Sequence, residues 1–188
     1  MKEDRSVNYM KTFIISDTHF SDKGSIIAYE SRPFENGKVM DEVLIRLWNE
    51  TVGEDDVVYH LGDVADEIPK EELKHIIDQL NGRKILVMGN HDRHFSVREW
   101  LEIGFDEVYP MPVVFNGYYM LSHEPLYVTT SAPYANIFGH VHKNPAYKDV
   151  SSRSFCVCVE RNEYKPVEFA QISKSILEAD SKEREELQ

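Results

Sequence analysis

Five times along this chain a short apolar run stops at a loop that carries histidine, aspartate or glycine. Residues 12–16 lead into Asp17-Thr18-His19, residues 57–61 into Gly62-Asp63, and residues 84–88 into Gly89-Asn90-His91-Asp92. Residues 118–122 lead into His123, and residues 136–138 into Gly139-His140-Val141-His142. Apolar runs this short, bounded by such loops, read as buried strands rather than helices. With amphipathic stretches between them, they constrain the chain to layered α/β architecture. In open α/β sheets the ligand crevice lies beyond the carboxyl ends of the strands. Loops far apart in sequence therefore have one place to converge.

The intervening stretches supply helices. Val39, Met40, Val43, Leu44, Leu47 and Trp48 repeat at helical spacing. A second helix is expected to start near Pro69, with Glu71 and Glu72 at its positive end. Its apolar face is Leu73, Ile76, Ile77 and Leu80, and Asn81-Gly82 stops it. Ser96 with Glu99 reads as a capping box opening a shorter helix. Asn116-Gly117 is a hairpin signal. Residues 155–159 and 167–172 are expected to be late strands of a second sheet. The boundaries expected are an N-terminal extension at 1–11, one domain at 12–173, and an acidic, helical or fraying tail at 174–188.

At 188 residues the chain has the length of a single domain with its own core. Its net charge of −12, with no stripe of Lys or Arg, argues against strong duplex nucleic-acid binding. Cys156 and Cys158 are the only cysteines. Two positions apart on one strand they share a face, which disfavours a disulfide between them and makes them small strand hydrophobes. No run suggests a leader or a membrane span, and a cytoplasmic protein is expected.

Asp17, His19, Asp63, Asn90, His123, His140 and His142 are candidate metal ligands. Taken singly, each residue is more often a turn or loop residue. Carboxylate, imidazole and amide together suit borderline divalent ions, and no cysteine accompanies them to suggest a structural zinc site. His140 and His142, two positions apart, would share a face on a regular strand. His60 reads as a strand residue, His75 as a surface residue and His94 as a loop residue. Arg32 has two readings: a fork for a substrate phosphate, or a partner for a surface acid. Tyr29, Phe20 and Phe34 are candidates for an aromatic wall, with core packing as their commoner role.

In these blocks the chain resembles the calcineurin-like metallophosphoesterases. Their signature is Asp-x-His, Gly-Asp, Gly-Asn-His-Asp/Glu, His and Gly-His-x-His, in that order. The resemblance runs from Asp17 to His142, with no ligand missing. It implies a two-sheet β-sandwich flanked by α-helices. It also implies two divalent ions, manganese first with iron, zinc or nickel as alternatives. One ion would take Asp17, His19 and His142, the other Asn90, His123 and His140, with Asp63 bridging. The family chemistry is in-line attack of a metal-bridging hydroxide on a phosphomonoester or phosphodiester. His91 would face the substrate as a hydrogen-bond or proton donor, oriented by Asp66 or Asp92.

A small phosphorylated substrate in an open cleft is expected, since few residues remain to build a cap. A metal-dependent nuclease and a non-catalytic interaction scaffold of the same fold are the alternatives. A protein phosphatase fits less well, because no arginine follows Asp63-Val64-Ala65-Asp66. Substrate, oligomeric state and pathway are not legible in the sequence.

Overall fold

The structure, a computed structural model, describes residues 9–129, 131–147 and 151–186. In chain order its elements begin with β1 (Thr12–Ile15), α1 (Ser25–Tyr29), α2 (Gly37–Thr51), β2 (Val57–His60), α3 (Lys70–Ile77) and β3 (Arg83–Val87). They continue with α4 (Val97–Ile103), β4 (Glu107–Tyr109), β5 (Val113–Phe115), β6 (Tyr119–Ser122) and β7 (Ala135–Phe138). The last three are β8 (Ser154–Cys156), β9 (Val167–Glu168) and α5 (Phe169–Glu186).

Two sheets form. The first runs β4-β3-β2-β1-β9, parallel except for β9, which lies antiparallel to β1. The second runs β5-β6-β7-β8, with only the β5–β6 pair antiparallel. Strand periodicity explains the layering. Phe13, Ile15, Val58 and Leu86 face α2, α3 and α4, where Met40, Leu44, Trp48, Leu73, Ile77 and Trp100 complete one core. Ile14 and Val87 face the other way, onto Leu121 and Ile137 of the second sheet. The first sheet is thus buried on both faces, as its near-continuous apolar strands require.

The expected helices are present. Asn36 caps α2, its side chain accepting from Val39 N at 3.1 Å. The Ser96–Glu99 capping box opens α4, with Ser96 N donating to Glu99 Oε2 at 2.8 Å. Asn116 and Gly117 both have positive φ, 50° and 69°, as a tight hairpin between β5 and β6 needs.

The late part of the chain corrects the sequence reading. Of the first expected strand, 155 and 156 lie in β8 and Cys158 makes only an isolated bridge to Ser16; the chain then bends into a 3-10 turn at Val159–Arg161. The second expected strand shortens to two residues, and β9 joins the first sheet rather than the second. Phe169, Ile172 and Ile176 are spaced for a helix, and α5 lays that stripe into the core between the sheets. The expected boundary at 173/174 falls inside this helix. The tail is docked rather than frayed through Ile176, and Asp180 is anchored by Arg153 Nε at 2.6 Å. The extension at 1–11 lies mostly outside the described residues. Among the described residues no helix is long and apolar enough to cross a membrane.

Candidate metal centre

Register brings the loops to one level. Ile15 pairs with His60 and His60 with Leu86, so the loops after β1, β2 and β3 leave the first sheet side by side. Ser122, Phe138 and Cys156 are aligned in the same way across the second sheet. Backbone bonds tie neighbouring loops together and, through Ser16 and Val157, join the two sheet ends. Ser16 N donates to Val157 O at 3.2 Å, Asp17 N to Gly62 O at 3.0 Å, and Gly139 N to His123 O at 2.8 Å. His140 N donates to both carboxylate oxygens of Asp17, at 3.1 and 2.9 Å.

The loops are tightly wound. Asp17, His19, Asp63, His140 and His142 have φ of 60°, 49°, 55°, 70° and 46°. This is the left-handed region, which costs an L-residue about 1–2 kcal/mol. Two glycines are needed for space rather than for rotation. A Cβ on Gly139 would sit against Ser16 Oγ and 2.6 Å from Asp17 Oδ2, and one on Gly89 would collide with Asp63 Oδ1.

All seven candidate ligands converge. The donor atoms of Asp17, His19 and His142 lie within 4.8 Å of one another, and so do those of Asp63, His123 and His140. Asp63 Oδ2 stands between the groups, 3.3 Å from His123 Nε2 and 3.8 Å from His19 Nε2. Its other oxygen accepts from His91 N at 2.9 Å. Asn90 Oδ1 and His140 Nδ1 both approach His123 Nε2, at 3.0 and 3.1 Å. His19 Nε2 is buried without a hydrogen-bond partner. A buried lone pair left unused among imidazoles and carboxylates is what a divalent ion satisfies. The residues fit such ions.

Three of the four candidate ligand histidines are held by the far nitrogen. His123 Nδ1 is 2.8 Å from Leu61 O, His142 Nδ1 2.9 Å from Glu160 Oε1, and His19 Nδ1 3.4 Å from Asp66 Oδ1. A proton on Nδ1 in each case leaves Nε2 free to ligate; His140 instead presents Nδ1. The crowding shifts protonation. Burial disfavours the His123 cation, yet the Asp63 and Asp17 carboxylates outweigh burial and raise it to about 9. Burial also opposes charge on Asp63, but bonded His123 and nearby His19 hold its carboxyl well below the usual range. In the metal-free protein a proton therefore occupies this ligand set, and ion binding must release it.

His91 stands at the rim. Its Nδ1 lies 3.1 Å from Asp66 Oδ1, and its side chain is 45% exposed. Asp66, bonded to His19 and close to His91, is held below the usual carboxylate range despite partial burial. Beyond His91 opens a cleft of about 530 Å³ lined by Lys23, Ser25, Asp66, Glu67, Asn90, His91 and His94. On the other flank of the ligands lies a second cleft of about 400 Å³, beside Tyr29, Glu124, His140, His142 and Tyr147.

Two sequence expectations need correction. Asp92 does not orient the His91 ring. Fully buried, its carboxylate accepts from Asp63 N at 2.9 Å, Val64 N at 3.0 Å and Gly89 N at 2.7 Å. It ties the second loop to the third, and burial pushes its pKa up. Arg32 does not reach the cleft. It is 4% exposed and ion-paired inside with Glu160. Phe20 is buried in the core, and Phe34 packs on Tyr164 at 4.9 Å between ring centroids. Of the three aromatic candidates, Tyr29 alone is exposed and borders a cleft. His60 is the buried strand residue expected. Cys156 and Cys158 are free thiols with Sγ atoms 3.2 Å apart.

The sequence reading missed Glu160, which bonds both Arg32 and His142. No spacing marks it, since its partners lie 128 and 18 positions away.

A family model described as calcineurin-like phosphoesterase matches residues 10–153. An uncharacterized protein of Methanocaldococcus jannaschii is 34% identical over 173 residues, covering 88% of this chain and 91% of its own. The Gene 66 protein of Mycobacterium phage D29 is 46% identical over 52 residues, 27% of this chain and 26% of its own. A solved protein of unknown function from Aquifex aeolicus superposes with a TM-score of 0.68 at 30% identity, covering 88% of this chain and 99% of that one.

Proposed function

The chain belongs to the calcineurin-like phosphoesterase family, and on that premise we propose that it is a metal-dependent hydrolase of small phosphate mono- or diesters. The observation that carries this reading is the pair of ligand groups meeting at Asp63, with a half-exposed His91 beside them. These residues would hold two divalent ions, which would supply an activated water and offset the charge of the phosphoryl oxygens. Imidazole, carboxylate and amide donors without thiolate suit manganese, iron, zinc or nickel, and we take manganese as the ion to test first.

The protein's own groups do the rest. Asp66, with Oδ1 3.1 Å from His91 Nδ1, would orient the ring so that Nε2 faces the leaving oxygen as general acid. Asp92 sets the spacing of Asp63 and His91 by gripping both of their loops. Clefts on both flanks of the ligands leave room for two ester substituents, which supports diesters alongside monoesters.

The test supplies metal-stripped protein with Mn²⁺ and offers p-nitrophenyl phosphate and bis-p-nitrophenyl phosphate in parallel. Turnover of at least one is expected. His91→Ala should reduce it by roughly 10²–10⁴-fold while both ions remain bound. Two bound ions with no turnover of any phosphate ester would sink the hydrolase reading in favour of a scaffold.

A further inference from the structure

Arg32 has its guanidinium wholly inside the protein. Nη2 donates to Asp17 O at 2.7 Å and Nη1 to Thr18 O at 2.9 Å, so the fork grips the backbone of the first ligand loop. Nε and Nη2 also donate to Glu160 Oε1, at 2.8 and 2.5 Å. The same oxygen accepts His142 Nδ1 at 2.9 Å. One carboxylate oxygen thus joins the loop carrying Asp17 to the side chain of His142. The ligand atoms so joined, Asp17 Oδ1 and His142 Nε2, stand 3.7 Å apart.

The 3-10 turn that carries Glu160 is built into both sheet ends. Val159 N donates to Ser16 O at 3.3 Å. Arg161 Nε donates to His142 O at 2.5 Å, and its Nη2 to Asn144 O at 2.8 Å. This turn therefore holds His142 by ring and by backbone. The other buried ligand histidines have weaker supports: His123 uses a neutral carbonyl, and His19 a longer contact to Asp66. Glu160 also lies beyond residue 153, where the family match ends.

We propose that Arg32 and Glu160 are positioning residues for one of the two ions, the one held by Asp17, His19 and His142. Glu160 fixes the proton of His142 on Nδ1, aims Nε2 inward and raises its basicity. Arg32 fixes Glu160 and holds Asp17 in register with it. A buried ion pair is a poor stabiliser compared with apolar packing, so a gain in stability alone is a weak reason for this one. The inference rests on the two-metal reading.

The test titrates metal-stripped wild type, Glu160→Gln and Arg32→Lys with Mn²⁺ by calorimetry. Metal content after dialysis and thermal unfolding of the metal-free proteins are measured alongside. Wild type should retain two ions per chain. Both variants should lose affinity for one ion by about 10–100-fold and keep the other near wild-type affinity. Two ions at wild-type affinity in the variants, with only the metal-free midpoint lowered, would make the pair purely structural and overturn the inference. Should Glu160→Gln fail to fold, Arg32→Lys decides by the same readings. A wild type that binds no ion pair would overturn this inference together with the hydrolase reading. Loss confined to the variants spares the latter.

Discussion

His60 shows how an ionisable residue near the site can serve the fold instead. Thr18 Oγ1 donates to Val64 O at 2.8 Å and stands 3.0 Å from His60 Nε2, so His60 Nε2 is the donor. Burial pulls its pKa from 6.5 to about 3. Below pH 6.5 the unfolded chain takes up a proton that the folded chain refuses until about pH 3. The His60 contribution to stability is therefore fully present above pH 6.5 and is lost as pH falls through that window. The loss is about 2 kcal/mol at pH 5. Denaturant titrations of wild type and His60→Gln from pH 7 to pH 5 should converge by that amount, and parallel curves would refute the assignment. At this scale the ligands were legible because their chemistry dictates residue type and order. Arg32, Asp92 and Glu160 were not. What each does depends on which group stands opposite it in space, and Arg32 meets Glu160 across 128 positions.

Elements with local signatures were read well. Ser96 and Glu99 cap α4 as their spacing required, and Asn116-Gly117 turns the β5–β6 hairpin. The region after residue 155 was misread because short apolar runs do not distinguish strand from helix until packing decides. Phe169, Ile172 and Ile176 serve as a helix stripe only because the two sheets leave a slot for it. The expected consequence is sharp. Ile176→Ala, at a position 1% exposed, should destabilise the fold by about 2–5 kcal/mol. Leu177→Ala, at a position 52% exposed, should change stability by no more than about 0.5 kcal/mol. Equal small effects in chemical denaturation would mean that α5 is the fraying tail its acidic composition suggested.

For the whole molecule, the ligand groups draw on both sheets. Asp17 and His19 follow β1 while His142 follows β7; Asp63 follows β2 while His123 and His140 follow β6 and β7. Any ion bound there bridges the two halves of the sandwich, so chelation should loosen the molecule as well as silence it. With free Mn²⁺ at a thousand times its dissociation constant, one ion stabilises the folded state by about 4 kcal/mol. Thermal midpoints with Mn²⁺ and with a chelator should therefore differ by several degrees, and coincident melts would exclude bridging ions. The left-handed backbone at Asp17, His19, Asp63, His140 and His142 carries the opposite implication for descent. Each of these positions would relax if it became glycine. A relative with no ion to hold would gain stability by exchanging these residues for glycine. Five of the candidate ligand positions therefore carry aspartate or histidine against the local preference of the backbone.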